Sequence, residues 1–201
     1  SPIDLSNLSS LKQETEMALS IWGTVDILIN NGAVIEPISL IEKLDAQNFE
    51  TAARINYLAP SLLISYCWSN FVKNRGKVIN ILSGASVNPI EGWAAYCSTK
   101  AALNMINQQT HLEGEKYGIS SIGISPGMVD TEMQGKIRAS GVNQISKVKK
   151  EDLLNTKQPG LFALWCASPE ANQFSGEMIS ENDPEVKAKY QAWIKTHKQE
   201  L

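Results

Sequence analysis

KVINILSGAS, residues 77–86, carries in ten positions the signal on which the fold turns. Val78, Ile79, Ile81 and Leu82 make a short run of β-branched and aliphatic side chains, and Ser83-Gly84 ends it. An apolar run of this length, stopped by small residues, reads as a buried strand. Two similar runs stand on either side: VDILIN (25–30), closing at Asn31-Gly32, and ISSIGIS (119–125), closing at Pro126-Gly127. A fourth and weaker one, 177–180, follows Ser175-Gly176. Between them lie stretches with helical spacing at 8–22, 46–71, 94–117 and 159–167. Alternation of strand and helix predicts an α/β domain, a doubly wound parallel sheet with helices on both faces. In such sheets ligands sit beyond the carboxyl ends of the strands. The exits Asn30-Asn31-Gly32-Ala33, Ser83-Gly84-Ala85-Ser86 and Pro126-Gly127-Met128-Val129 are all small or polar, as a ligand-facing rim requires.

Composition narrows the classes. A chain of 201 residues with 43% hydrophobic content suffices for one core, and the expectation is a single domain over 1–201. The net charge of -3 and pI near 5.5 give no basic footprint for nucleic acid. Lys147, Lys149 and Lys150 are offset at once by Glu151 and Asp152, which predicts a solvated loop. Cys67, Cys97 and Cys166 are odd in number, widely spaced and out of metal-ligand register with His111 and His197, so no metal is expected. Free thiols suit a reducing cytoplasm. No apolar run reaches the roughly 18 residues of a membrane span, and the opening Ser-Pro-Ile-Asp has no signal-peptide features.

Tyr96 and Lys100 are four apart in a helical segment and so stand on one face. A free tyrosine titrates near pH 10, and an ammonium beside it favours the phenolate, which makes the pair a proton shuttle. Chance alone gives about 0.4 such spacings in a chain of this composition, so the pair by itself decides little. Ser83 supplies the context: it stands at a strand exit 13 residues earlier, where its hydroxyl can meet a carbonyl oxygen.

The stretches NNGA (30–33), RINYLAP (54–60), KVINILSGAS (77–86), YCSTKAALN (96–104) and SPGMVDTEM (125–133) together resemble the short-chain dehydrogenase/reductase family, in its order and near its spacing. The resemblance implies a Rossmann-like fold and an oxidoreductase using a nicotinamide cofactor, NADP(H) in preference to NAD(H). It implies roles as well. Tyr96 would be the general acid or base, Lys100 would lower its pKa and bond the nicotinamide ribose, and Ser83 would polarise the carbonyl. Asn56 would interrupt its helix to hold a water linked to Lys100. Cofactor contacts would fall at Asp4, Asn30, Gly32, Pro126, Gly127, Val129 and Thr131, besides Tyr96 and Lys100. Trp93 and Met133 would touch substrate, the segment from Met133 to Lys157 forming a loop over the site. Where the family usually has Asn-Asn-Ala-Gly, this chain has Asn-Asn-Gly-Ala. Residues 83–104 and 127–138 look most like the fungal benzil reductase and sepiapterin reductase-like branch. A small ketone or diketone is the expected substrate, with a homodimer or homotetramer as the assembly. A sepiapterin-type pterin reductase is the second enzymatic reading, disfavoured because Ser180 stands where a pterin-binding Asp is expected.

A dinucleotide fold of this type begins with a strand, a Gly-rich turn and a helix. None of these precedes Asp4, so about 60 residues of the fold are expected to lie outside this sequence, leaving 27–30 with an unpaired apolar edge. A truncated, non-catalytic product acting through oligomer or partner binding is therefore the competing function class. The joint presence of Asn56, Ser83, Tyr96 and Lys100 favours the enzyme.

Overall fold

The computed structural model describes residues 2–197. Four strands, β1 (Ile27–Asn30), β2 (Lys77–Ile81), β3 (Ser120–Ile124) and β4 (Met178–Ile179), pair in that order, all parallel. The helices are α1 (Leu8–Ser20), α2 (Ala46–Ala53), α3 (Ala59–Asn74), α4 (Ala94–Gly114), α5 (Glu132–Ser140), α6 (Lys157–Ala167) and α7 (Pro184–Thr196). The four strands and all four helical stretches expected from sequence are present, with ends moved by up to three residues. The stretch 46–71 is resolved into α2 and α3 by a π-helical turn, Arg54–Leu58. Helices α5 and α7 were not anticipated.

Strand alternation sorts the core into two layers. Leu28 and Val78 face α1, α3 and α4, packing with Ile64, Cys67 and Phe71. Ile79, Ile122 and Ile124 face the other way, against Phe162, Trp165 and Cys166 of α6 and Val186 and Tyr190 of α7. Burying each such side chain contributes about 1.5–3 kcal/mol. Lys77 fastens the second layer: its ammonium donates to the carbonyls of Cys166 (3.0 Å) and Ser168 (2.5 Å) at the end of α6, where the helix leaves acceptors unpaired. At β1 no helix covers the second face among the described residues, and Ile27 and Ile29 are 43% and 49% exposed on an edge strand.

Helix α4, 21 residues long, carries both Tyr96 and Lys100. Tyr96, Lys100, Leu103, Asn107 and Gly114 recur at three-, four- and seven-residue intervals and are all buried, so one stripe of the helix lies along the sheet. At its foot Gly114 lets Ile119 approach, since a Cβ there would stand 2.8 Å from the Ile119 Cβ. The lysine cluster 147–150 lies on short 3-10 turns rather than in an unstructured loop, with Lys149 and Lys150 exposed as expected.

Candidate active site

Strand β2 delivers Ser83 and helix α4 delivers Tyr96 and Lys100 to one place. Ser83 is extended (φ −165°, ψ 157°), and its hydroxyl accepts from the Ala85 N–H at 3.2 Å, which fixes the turn after the strand. The same hydroxyl faces the Tyr96 phenol closely enough to pull its pKa down. Burial outweighs that pull and pushes Tyr96 up to about 12. This is opposite to the direction expected from its lysine neighbour. The ammonium itself is engaged beside the phenol: Lys100 Nζ donates to the Ile81 carbonyl at 2.6 Å and stands over the Tyr96 ring, 5.8 Å from its centroid. Burial lowers Lys100 itself to about 8. Trp93 packs edge-on against Tyr96, centroids 5.7 Å apart at 83°, and holds the ring upright.

A cavity of about 1060 Å³ opens beyond the strand exits. Ser83, Trp93, Tyr96 and Lys100 line one side and Pro126, Gly127, Val129, Thr131 and Met133 the other, so nine of the residues singled out in the sequence meet there. Gly127 turns the chain at φ +78°, in the left-handed region that other residues avoid.

Four singled-out residues lie elsewhere. Asn30 does not face the cavity; its amide donates to the Asn80 side chain at 2.9 Å within the sheet. Gly32 packs under Leu5, whose Cδ1 would stand 2.7 Å from a Cβ, while Asn31 and Ala33 take the lining positions. Asp4 is exposed and accepts from the Ser6 N–H and hydroxyl, opening the turn before α1. Asn56 does sit on an interrupted helix, completely buried, but its side chain serves as a clamp. It accepts from Val34 N–H (2.8 Å) and donates to Val34 carbonyl (2.8 Å) and Thr99 hydroxyl (3.2 Å), tying the loop after β1 to α4.

The far wall is a cap, residues 131–153, built on α5. Met133 and Ile137 of α5, with Ile145 beyond it, pack against Ile35, Ile90 and Trp93. The cap leaves and re-enters the fold at one point, where Asp130 N–H donates to Leu154 carbonyl (2.8 Å) and Leu154 N–H to Met128 carbonyl (2.9 Å). Its rim is held by a Lys136–Glu36 ion pair (2.7 Å) and by Asn143 donating to Glu91 carbonyl (2.8 Å). Sequence reading missed Glu36, Lys136 and Ile35; the four-residue spacing of Met133 and Ile137 was the available sign of a helix. Among the described residues no helix is long and apolar enough to cross a membrane.

The chain is similar to known proteins in sequence and in fold. The chain is 35% identical over 164 residues to a benzil reductase ((S)-benzoin forming) of Bacillus subtilis, covering 76% of this chain and 66% of that one. It is 36% identical over 156 residues to the enzyme of the same description from Bacillus cereus, covering 74% and 55%. The chain thus spans just under two thirds and about half of these relatives' lengths. The crystal structure of the short chain dehydrogenases/reductase YIR035C from Saccharomyces cerevisiae superposes with a TM-score of 0.80 at 27% identity, over 92% of this chain and 77% of that one. Residues 1–141 match the family model described as short chain dehydrogenase. A parallel sheet with Ser83, Tyr96 and Lys100 at its carboxyl edge and a family match over more than half its length lead to one conclusion: the chain belongs to the short-chain dehydrogenase family.

Proposed function

We propose that the cavity is the reactive half of a nicotinamide-dependent carbonyl reductase acting on a small ketone or a benzil-like diketone. The observation that carries this is the convergence of Ser83, Tyr96 and Lys100 on one cavity walled elsewhere by a largely apolar lining. A flat aryl ketone suits such a wall, since Ile35, Ile90, Trp93, Met133 and Ile137 offer hydrocarbon and aromatic surface.

The residues present fit a nicotinamide cofactor. Lys100 has three N–H groups and spends one on Ile81, and no carboxylate pairs with it among the described residues. The remaining donors would hold ribose hydroxyls. Gly127, Val129 and Thr131 present a turn on the same rim. When bound, the nicotinamide supplies the hydride. Everything else falls to the chain: the Ser83 hydroxyl donates a hydrogen bond to the carbonyl oxygen, and the Tyr96 hydroxyl delivers a proton to that oxygen as it gains charge. A phenol at about 12 holds its proton at neutral pH, which is the state that reduction needs. Trp93 and the cap exclude water from the transfer. NADP(H) is the preferred cofactor, and the helical stretches 46–71 (α2 and α3) and 94–117 (α4 and the turn after it) are the faces for self-association, as the family resemblance implies.

The decisive experiment is Tyr96→Phe in the full-length protein, with turnover of benzil measured with NADPH and with NADH. Turnover should fall by about 100-fold or more, with NADPH affinity held within about twofold because only the hydroxyl is removed. Activity within about threefold of wild type would reject the role of Tyr96. A wild-type protein that binds neither cofactor nor turns over any carbonyl would favour the non-catalytic product.

A further inference from the structure

Beneath the reacting groups the sheet carries a second set of polar side chains. Asn80, in the middle of β2, and Asn107, on α4, are both completely buried. Asn80 Nδ2 donates to Asn107 Oδ1 at 3.1 Å, and the same oxygen accepts from the Ser121 hydroxyl of β3 at 2.8 Å. Asn107 Nδ2 donates in turn to the carbonyl of Glu177, just before β4, at 3.2 Å. From the other side Asn30 of β1 donates to Asn80 Oδ1 at 2.9 Å. One helical side chain thus touches β2, β3 and the entry to β4, and reaches β1 through Asn80.

Apolar residues fill such positions more cheaply, because a buried amide must satisfy every donor and acceptor. What the amides add is direction: hydrophobic contact lets a helix slide by a fraction of an ångström, whereas hydrogen bonds at fixed lengths do not. The contacts fall in matching order along the two elements. Strand β2 and the residues after it offer Asn80, then the Ile81 carbonyl, then Ser83; helix α4, running the opposite way, offers Asn107, Lys100 and Tyr96 to meet them. These are three rungs of one ladder. The last two hold the reacting groups, and the first holds nothing that touches the cavity.

We infer that Asn107 is a positioning residue for the proton-delivering helix. With Asn80 and Ser121 it sets where α4 rests along the sheet, and thereby sets the approach of Tyr96 and Lys100 to Ser83. This rests on Tyr96 being the proton donor of the proposed reduction. Misplacing a reacting group by about 1 Å costs on the order of 100-fold in rate, so a rung two helical turns below Lys100 has leverage on turnover without touching substrate.

The test uses the full-length protein and four single variants: Asn107→Ala, Asn80→Ala, Tyr96→Phe and, as a control for lost stability, Phe162→Leu in the opposite core layer. Rates are expressed per folded molecule. Asn107→Ala and Asn80→Ala should each lower kcat about tenfold or more, leave KM for NADPH within about twofold, and move the pH limb of kcat by about one unit. The double variant should lose no more than Asn107→Ala alone, since that substitution already removes the Asn80–Asn107 bond. Phe162→Leu should lower Tm while leaving kcat and the pH limb in place. Should Asn107→Ala not fold, Asn107→Ser, which keeps one donor and acceptor, decides with an intermediate loss. A normal kcat and pH limb in the Asn107 and Asn80 variants, with Tm alone reduced, overturns the inference. If Tyr96→Phe is also fully active, the reading of the site itself has failed instead.

Discussion

Lys100→Met tests whether the site is as dry as its geometry demands. Burial lowers Lys100 to about 8, against about 10.4 for a lysine in the unfolded chain. Between those two values the unfolded chain binds the proton and the folded one does not, so unfolding free energy rises with pH across that window. Below pH 8 the lysine is charged in both states, and the folded protein bears the full desolvation cost. From pH 7 to pH 10 the linkage relation gives a rise of roughly 2–3 kcal/mol from this single group. Lys77, lowered to about 8 by burial, and Tyr190, raised to about 12, titrate too. Subtracting the Lys100→Met curve removes these common contributions. The assay is urea unfolding of both proteins, without cofactor, at several pH values between 7 and 10. The stability difference, wild type minus variant, should climb by roughly 2–3 kcal/mol in favour of wild type as pH rises. A difference flat to within about 0.5 kcal/mol would mean that water reaches the ammonium. The cavity would then be too wet for the proton transfer assigned to it.

Two further substitutions probe the cap. Gly92 sits at φ +76°, with the Val142 Cγ1 only 2.5 Å from where a Cβ would stand, so Gly92→Ala should strain the turn by about 1–2 kcal/mol and lift the cap. Steady-state kinetics should show KM for a diketone rising more than kcat falls, and an unchanged KM would count against contact between cap and turn. Glu36→Gln removes a half-exposed ion pair worth at most about 1 kcal/mol, so KM should rise about two- to fivefold. Added salt should raise the wild-type KM and leave that of the variant alone; equal salt responses would show that the pair does not hold the cap.

Strands β2 and β3 were legible because both faces are covered: their apolar runs are nearly continuous and end at Ser83-Gly84 and Pro126-Gly127. Helix α7 was not, because its buried side is carried by Val186 and Tyr190 alone in the first two turns, interleaved with Lys187 and Lys189. Helix α5 failed for the same reason, with Lys136 and Arg138 flanking Ile137. That the Asn30 side chain turns away from the cavity was legible in the strand alternation. It shares a face with Leu28, which points to the helices α1 and α3, and not with Ile29, which lines the cavity. The Tyr96–Lys100 pair was found by spacing, yet the direction of the tyrosine's shift depends first on burial, which is not written in a four-residue interval.

The single neck at Met128–Asp130 and Leu154 separates two tasks that most sites entangle. A loop closed at its base feels its own length only weakly, each doubling costing about 0.6 kcal/mol. Residues 132–153 can therefore be lengthened, shortened or exchanged with little strain passed to the sheet, while Ser83, Tyr96 and Lys100 keep their places after β2 and on α4. On the proposed reading, which carbonyl compound fits becomes a property of a replaceable part, and the chemistry done to it a property of the frame. Grafting caps of different apolar volume onto this neck is a direct route to new substrate ranges at constant reaction type.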